Sequence, residues 1–562
     1  MMLDLDDAAG SIQRSTEVCV IGAGAAGITL TRRLLAAGHQ VLLIESGGLD
    51  YEPDIAHLNA GESVGRDYYP LEDARLRFFG GTTAIWGGRC AELDSIDLER
   101  RDWVEHSGWP IEPAELATYY REARPLFGLP VERFSKRDLA RAGAVLPDFD
   151  EAELRTPIWT FDARFDRFTA AACADLLAHP RCEIAVHASV TAIDIADGAA
   201  ARIVAKSLKG ASLRIDARAY VLAAGGIENA RLLLASNVGN QHDQVGRYFM
   251  EHPHARGGHI VDGKVWPLLK AFARRHRVNG QDVAALITPS PQLQQREGLL
   301  NSSMTIVARQ PADAAQFVGM RAYNSIKHGV APTKSGRRLW MATKRAAAWT
   351  QRHVDPLRPW LLHKAGQLEV ALLVRAEQAP NPDSRVTLAR DVDPLGVRRV
   401  ALDWRLSALD KHSVLGLVQS LGRELTRLGM GRVEPEAWLR GSEAWRSDPL
   451  ISSHPIGGYH HIGTTRMSSD PRRGVVDKDG RVHGTANLYV VGSSTFSTSS
   501  WANPTLTIAA LSLRTADRVS ASLRRSEAAL SRAGPKVIMA PSSKTSTQAP
   551  AELSRTSARS RP

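Results

Sequence analysis

The apolar positions of this chain fall into short blocks punctuated by glycine. The run Glu17 to Ile21 reads as a buried strand. Ala25 to Ala37 is rich in Ala and Leu, has Gly27 as its one breaker, and reads as a helix. Val41 to Ile44 is a second apolar run, which completes a β-α-β unit. Ala188 to Ile193 is strand-like. Ala219 to Ala223 is another strand, followed by Gly225-Gly226 and a helical stretch, Glu228 to Ala235. Near the end, the strand Leu488 to Val491 precedes Gly492 and a helix from about Pro504 to Leu523. The middle, roughly His254 to Val433, carries strand-like runs such as Leu368 to Val374. It reads as a different domain, inserted between pieces of the first.

Composition narrows the class. With 562 residues, 43% of them hydrophobic and 23% charged, the chain is neither fully disordered, nor a small disulfide scaffold, nor a collagen-like fibre. No stretch approaches the roughly 18 apolar residues of a membrane-spanning helix. Met1 to Ser15 is acidic and polar, and lacks the basic and apolar regions of a secretory signal. The expected location is the cytoplasm. Cys19, Cys90, Cys173 and Cys182 show no C-x-x-C spacing, so neither a metal site nor a redox dithiol is expected.

The net charge of +11 is concentrated in two places. Ala331 to Lys364 holds eight Lys/Arg and one Asp; Ser531 to Pro562 holds six Lys/Arg and one Glu. The first segment interleaves Trp340, Trp349 and Trp360 with its arginines. Arg338 to Gln351 reads as a helix that Pro356 and Pro359 interrupt. The segment is either a solvated face near a substrate entrance or a patch that touches anionic lipid. No nucleic-acid module accompanies the charge. The tail after about Arg525, rich in Ser, Ala, Thr and Pro, reads as disordered.

Three motifs carry chemistry. Gly22-Ala23-Gly24-Ala25-Ala26-Gly27 is a G-x-G-x-x-G between a strand and a helix. Gly22 allows the tight turn, Gly24 lets the backbone approach a pyrophosphate, and Gly27 lets helix and strand pack closely. The helix N-terminus directs free N–H groups at phosphates. Glu45 ends the next strand, 18 residues after Gly27, where a carboxylate suits a ribose hydroxyl. The motif fits FAD and NAD equally. The second motif is Phe79-Gly80-Gly81-Thr82-Thr83-Ala84-Ile85-Trp86-Gly87-Gly88-Arg89, either a bare backbone suited to lying against a flat ring or, equally, a tight structural loop. The third runs His454-Pro455-Ile456-Gly457-Gly458-Tyr459-His460-His461-Ile462-Gly463-Thr464-Thr465-Arg466-Met467, then Gly492-Ser493-Ser494, then Asn503-Pro504-Thr505-Leu506-Thr507.

From about Glu17 to Val519 the chain resembles the glucose–methanol–choline (GMC) oxidoreductases, flavoproteins that oxidise alcohols and sugars. His460-x-x-Gly463-Thr464-x-Arg466-Met467 resembles the family's active-site histidine block, and Asn503-Pro504-Thr505-Leu506-Thr507 its second active-site segment. Ala223-Ala224-Gly225-Gly226-Ile227-Glu228 and Val245-Gly246-Arg247-Tyr248-Phe249-Met250-Glu251-His252-Pro253 also look like family segments. The pattern is nearest the branch of pyranose oxidases and bacterial sugar or polyol dehydrogenases.

The resemblance implies an α/β fold, α+β overall. A Rossmann-like FAD domain spans 1–253, with excursions over about 51–180, and returns over 436–524. The substrate domain, 254–435, is built on an antiparallel sheet, and a basic tail covers 525–562. The cofactor implied is FAD, held by Gly22, Gly24, Ala25, Ala26, Gly27 and Glu45, and by Gly80, Gly81, Thr82, Thr83, Trp86, Gly87 and Gly88. Val190 would touch the adenine, with Ala224, Gly225, Gly492, Ser493, Pro504 and Thr505 completing the site. Some members attach FAD through a histidine in the glycine-rich loop. This loop has none, so a non-covalent cofactor is expected.

His460 is then the base that takes a hydroxyl proton, and Asn503 binds the same oxygen. His461 is the neighbouring alternative; His252, His454 and His483 are read as structural. The electron acceptor is oxygen, a quinone or another redox protein. The substrate is a sugar, a polyol or another alcohol. Two rivals are a non-redox flavin lyase of the same fold and a non-catalytic flavoprotein subunit.

Overall fold

The computed structural model describes residues 1–162, 164, 166–310, 357–447 and 458–532, with residues 333, 335, 336, 338, 339, 342, 343, 345, 346 and 349 between them. The chain divides into two units, Met1–Ser520 and Ala521–Pro562.

Two sheets organise the first unit. The larger takes, in chain order, β1 (Met2–Asp4), β2 (Ser11–Ile21), β3 (Val41–Ile44), β4 (Cys182–Val186), β5 (Ser189–Ala196), β6 (Ala199–Lys206) and β7 (Ser212–Leu222). The smaller takes β8 (His254–Val261), β9 (Ser303–Arg309), β10 (Glu369–Arg375) and β11 (Arg432–Pro435). The chain then returns to the larger sheet with β12 (Leu488–Val490). The principal helices are α1 (Ala25–Ala36), α2 (Glu228–Ala235), α3 (Ala408–Arg427) and α4 (Thr505–Arg532).

The larger sheet is ordered β1-β4-β3-β2-β7-β6-β5, with β12 also pairing to β7. β1, β4, β3, β2, β7 and β12 are parallel; β5 and β6 join as antiparallel neighbours. Val18, Val20, Leu43, Ile184 and Val221 are fully buried, which is why the parallel strands read as unbroken apolar runs. β3 and β7 flank β2 on opposite sides, so connections leave in opposite directions at the strand ends. The resulting crevice is where open α/β sheets bind ligands.

β2 and β7 are both longer than the apolar runs suggest. Ser11–Thr16 pairs with Ser212–Ala217 in parallel register, and along β2 this half alternates exposed and half-buried positions. Hydrophobicity marks only the fully buried half. The last helix also outruns its expected end, continuing through Arg525 to Arg532 where disorder was expected. Ser526 to Arg532 holds no Gly or Pro to stop it. Residues 533–562 lie outside the described residues.

The smaller sheet is antiparallel, in the order β9-β10-β8-β11. One face is core: Ala255, Met304, Ile306, Leu372 and Val374 pack with Val414, Leu417, Val418 and Leu421 of α3. The other face carries a separate small cluster, Val307, Ala371 and Leu373. By alternation the same face carries Arg309 and Arg375. Of the 34 residues of the basic segment 331–364, 16 lie outside the described residues; the seven described within the helix expected over Arg338 to Gln351 are all helical. A short helix does occupy Arg358–Lys364, with Pro359 in its first turn, where a missing N–H costs nothing. No helix among the described residues is long and apolar enough to cross a membrane. All four cysteines are buried and free.

Candidate active site

The three glycines of the first motif have three different reasons to be glycine. Gly22 has φ +106°, and a Cβ there would lie 2.7 Å from the Ala223 carbonyl oxygen. A Cβ on Gly27 would lie 1.9 Å from the Gly22 carbonyl oxygen. These two let β2, β7 and α1 converge. Gly24 caps α1 with nothing within 4 Å of its Cβ position. Gly225, after β7, and Gly492, after β12, are open in the same way. The ends of three parallel strands therefore present bare backbone with free space in front of it. Ala25 and Ala26 open α1, where backbone N–H groups lack helical partners.

The second motif folds over this cradle. Gly80 N–H donates to the Ala23 carbonyl at 2.8 Å, and the Gly81 Cβ position is 3.6 Å from Gly24 Cα. Gly81–Ile85, including Thr82 and Thr83, forms a single 3₁₀ turn. Trp86 then packs on Phe127, ring centroids 5.5 Å apart, before Gly87 and Gly88. Glu45 sits under the cradle, accepting from Ala23 N–H at 2.9 Å and Gly47 N–H at 3.1 Å. Burial raises its carboxyl pKa, opposed by those N–H groups. Ala224 N–H donates to Asn229 Oδ1 at 2.9 Å, and Asn229 Nδ2 reaches Val491 O at 3.3 Å and Ser494 Oγ at 3.0 Å. Asn229 thus ties the ends of β7 and β12 together. Val190 lies on β5, half-buried, with its backbone paired to Ala205. A flat dinucleotide fits the arrangement, because the open positions are backbone and the nearby acid suits a hydroxyl, not a phosphate.

His460 and Asn503 meet, although 43 residues separate them. Asn503 Nδ2 lies 3.1 Å from His460 Nε2. On the other side of the ring, His460 Nδ1 is 2.8 Å from His252 Nδ1. His252, read as structural from the sequence, therefore touches the candidate base directly. The register explains the contact. Met250 and Ile462 form an antiparallel bridge, so His252 and His460 are the next opposed pair. No spacing in the sequence reveals that pairing.

The hydrogen bonds fix both tautomers. His252 Nε2 faces two carbonyls, Ser500 O at 2.7 Å and Ser499 O at 3.1 Å, so it carries a proton. Neutral His252 then offers a lone pair at Nδ1, which His460 fills with its own Nδ1–H. That leaves a lone pair on His460 Nε2, facing the donor amide of Asn503. Burial lowers the His460 pKa well below the usual histidine range, and His252, His461, Arg89 and Arg375 add to the effect. Burial, chiefly, lowers His252 as well. Both rings are neutral at physiological pH.

The backbone of His460 is held too. Its N–H donates to both oxygens of Glu251, at 3.0 and 3.1 Å, and the Tyr68 hydroxyl donates to the same carboxylate. Burial raises Glu251 to about 8. His461 is buried, its Nε2 at 3.9 Å from Glu251; burial lowers it to about 3. Gly226 allows this strand to pass, since a Cβ there would lie 2.1 Å from the His461 carbonyl oxygen. Ser493 Oγ donates to the same carbonyl at 2.7 Å. Arg466 closes the motif by covering Tyr248, Cζ 4.4 Å from the ring centroid. His483 Nε2 is 3.0 Å from Ser468 O, and His454 lies outside the described residues.

Asn503 is positioned from behind. Ser500 Oγ donates to Asp97 at 2.6 Å and Trp501 Nε1 to Asp94 at 2.8 Å. Asn301 Nδ2 joins both carboxylates, and its backbone N–H donates to Glu377. Glu377 forms a two-pronged pair with Arg101, at 2.6 and 2.9 Å, both side chains almost fully buried. Pro504 and Thr505 follow at the start of α4, where Ile508 N–H closes the first turn on Pro504 O at 2.8 Å.

A family model described as FAD dependent oxidoreductase matches residues 17–344, more than half of the chain. A second, GMC oxidoreductase, matches residues 380–512. The chain belongs to the GMC-type FAD-dependent oxidoreductases. It is similar to 6'''-hydroxyparomomycin C oxidase of Streptomyces lividus, 25% identical over 92% of this chain and 94% of that one. It is also similar to 2-methyl-1,2-propanediol dehydrogenase of Mycolicibacterium austroafricanum, 24% identical over 90% and 95%. Among solved structures, a fungal aryl-alcohol oxidase aligns with TM-score 0.51, at 16% identity over 91% of this chain and 99% of that one. The formate oxidase of Aspergillus oryzae aligns with TM-score 0.50, at 17% identity over 92% and 100%. These structures share the fold of this FAD-dependent oxidoreductase: a Rossmann-like sheet with an inserted antiparallel sheet.

Proposed function

We propose that this oxidoreductase converts a CH–OH group of a sugar, polyol or other alcohol to a carbonyl. His460 is the base and Asn503 the partner that orients the substrate oxygen. The observation that carries this is the hydrogen-bond chain from the Ser500 carbonyl through His252 and His460 to Asn503. It leaves one basic lone pair, on His460 Nε2, beside one donor amide. A substrate hydroxyl placed there gives its proton to Nε2 and accepts from Asn503 Nδ2. Bound FAD supplies the two-electron acceptor for the carbinol hydrogen.

Gly22, Gly24 to Gly27, Glu45, Gly80 to Thr83, Trp86 to Gly88, Val190, Ala224, Gly225, Gly492, Ser493, Pro504 and Thr505 are the residues assigned to FAD. The glycine-rich loop has no histidine, and the binding is assigned as non-covalent. Residues 1–253 and 436–524 form the cofactor part, and 254–435 the substrate part. A low-pKa base stays deprotonated at neutral pH but gains less driving force for proton transfer. It also releases the proton readily, which resets the site. Oxygen, a quinone or another redox protein then takes the electrons. The relatives named as an oxidase and a dehydrogenase support alcohol oxidation and differ on the acceptor.

The test is the visible spectrum of the FAD-loaded protein under anaerobic conditions, with a panel of sugars, polyols and alcohols. Bleaching of the flavin band by a panel member supports the reading, and readmitted air then tells oxidase from dehydrogenase. A loaded flavin that no member reduces contradicts it and favours a non-redox role.

A further inference from the structure

Arg375 ends β10 on the face of the smaller sheet that α3 does not cover. Its register partners are His254 on β8 and Ser303 on β9, so its side chain leaves the sheet on their side. His254 is two residues beyond His252. The guanidinium stands over Trp159, Cζ 5.0 Å from the ring centroid, and Arg89 approaches the same ring at 5.3 Å. Arg275 lies 3.8 Å over the neighbouring Phe161. Trp159 in turn lies 6.4 Å from Trp501, two residues before Asn503. Three cations thus converge on two aromatic rings beside the proposed reaction centre.

Several buried arginines are neutralised by carboxylates, while Arg466 instead covers Tyr248 and donates to His106 O. Arg101 pairs with Glu377, and Arg256 pairs with Glu369 at 2.6 Å. Arg375 differs: among the described residues no carboxylate is paired with it. Burial, and then the charge of Arg309, push it down to about 10, which still leaves it charged at neutral pH. A half-buried cation beside a ring quadrupole, with no protein anion, is poised to bind an anion from outside.

We propose that the substrate is an alcohol bearing an oxoanion, a carboxylate or a phosphate. Arg375 binds the oxoanion beside Trp159 while the carbinol lies at His460 and Asn503. A planar guanidinium suits either group, because two parallel N–H donors match two oxygens. The same charge on Arg375 disfavours cationic substrates. This inference rests on the proposed alcohol oxidation for its carbinol, and on the arginine geometry alone for its anion.

The experiment uses FAD-loaded enzyme and matched probes: D-gluconate against D-glucitol, and D-glucuronate, D-glucose 6-phosphate and D-glucosamine against D-glucose. Binding is measured by calorimetry at two salt concentrations, and anaerobic flavin reduction is measured separately. At least one anion should bind tenfold or more tightly than its neutral parent, and lose that advantage at high salt. Arg375→Gln should abolish the preference while changing neutral binding less than threefold, and Arg375→Lys should restore part of it. Carboxylate and phosphate probes show which oxoanion the site takes. No anion preference in any pair, or equal losses for neutral and anionic probes in Arg375→Gln, would overturn the proposal. The two readouts separate the claims. Arg375-dependent anion binding without flavin reduction contradicts the alcohol oxidation alone. Flavin reduction without anion preference contradicts the oxoanion site alone.

Discussion

Gly24 and Gly27 sit three residues apart in one motif, at the cap and in the first turn of α1, yet their replacement by Ala should fail in opposite ways. At Gly27 the new Cβ starts 1.9 Å from the Gly22 carbonyl oxygen, and ordinary contact begins at 3.4 Å, so backbone must move by about 1.5 Å. Ala gains up to ~1 kcal/mol of helix propensity over Gly. Overpacking of a closed core costs about 1–3 kcal/mol, and more where the obstacle is backbone. The net is a loss of up to about 2 kcal/mol, and more because the obstacle here is backbone, before any cofactor is considered. At Gly24 the new Cβ meets no protein atom within 4 Å, and φ is an ordinary −84°. The apoprotein should lose no more than the ~0.5–1 kcal/mol that separates Ala from Gly at a helix cap. The added methyl instead occupies the space assigned to the pyrophosphate. Thermal unfolding of the two apoproteins, with FAD titrated by quenching of flavin fluorescence, separates the effects. Gly27→Ala should lower the unfolding temperature. Gly24→Ala should leave it nearly unchanged and weaken FAD binding at least tenfold. Normal FAD affinity in Gly24→Ala would refute the assignment of this motif to the cofactor.

Two further substitutions test how the reaction centre is supported. His252→Leu removes the acceptor for His460 Nδ1–H, so the lone pair is no longer confined to Nε2. Flavin reduction should slow by a large part of the ~10²–10⁴-fold that a positioned base contributes. FAD content should not change, and rapid-mixing absorbance reads both. Arg101→Ala strands the fully buried Glu377 carboxylate and should destabilise the fold by about 3–5 kcal/mol, read by denaturant unfolding.

Much of this molecule is legible in its sequence where one local rule acts alone. The β-α-β unit at Glu17 to Ile44 follows from apolar runs and the three glycines. The pair proposed for catalysis, His460 and Asn503, follows from family resemblance, not from any local pattern. What stays hidden is what long-range pairing decides. β2 begins at Ser11 because β7 supplies a partner, although Ser11–Thr16 carries no apolar run. His252 touches His460 because Met250 pairs with Ile462. Glu251, Arg101 and Glu377 give no signal as isolated charges, and their roles appear only once burial brings them together. Arg375 reads as an ordinary strand end until its register shows which face it leaves from.

His460 Nε2 is proposed to take the substrate proton. The most direct test is the rate constant for anaerobic flavin reduction in wild type and in His460→Ala, both loaded with FAD, as a function of pH. The lowered His460 pKa keeps the wild-type base deprotonated throughout the neutral range. Its rate should therefore stay level from neutral pH down through the usual histidine range and fall only in more acidic solution. His460→Ala should bind FAD normally and be slower by about 10²–10⁴-fold at neutral pH, recovering only as hydroxide rises. An unchanged rate in His460→Ala, with its FAD in place, would contradict the account.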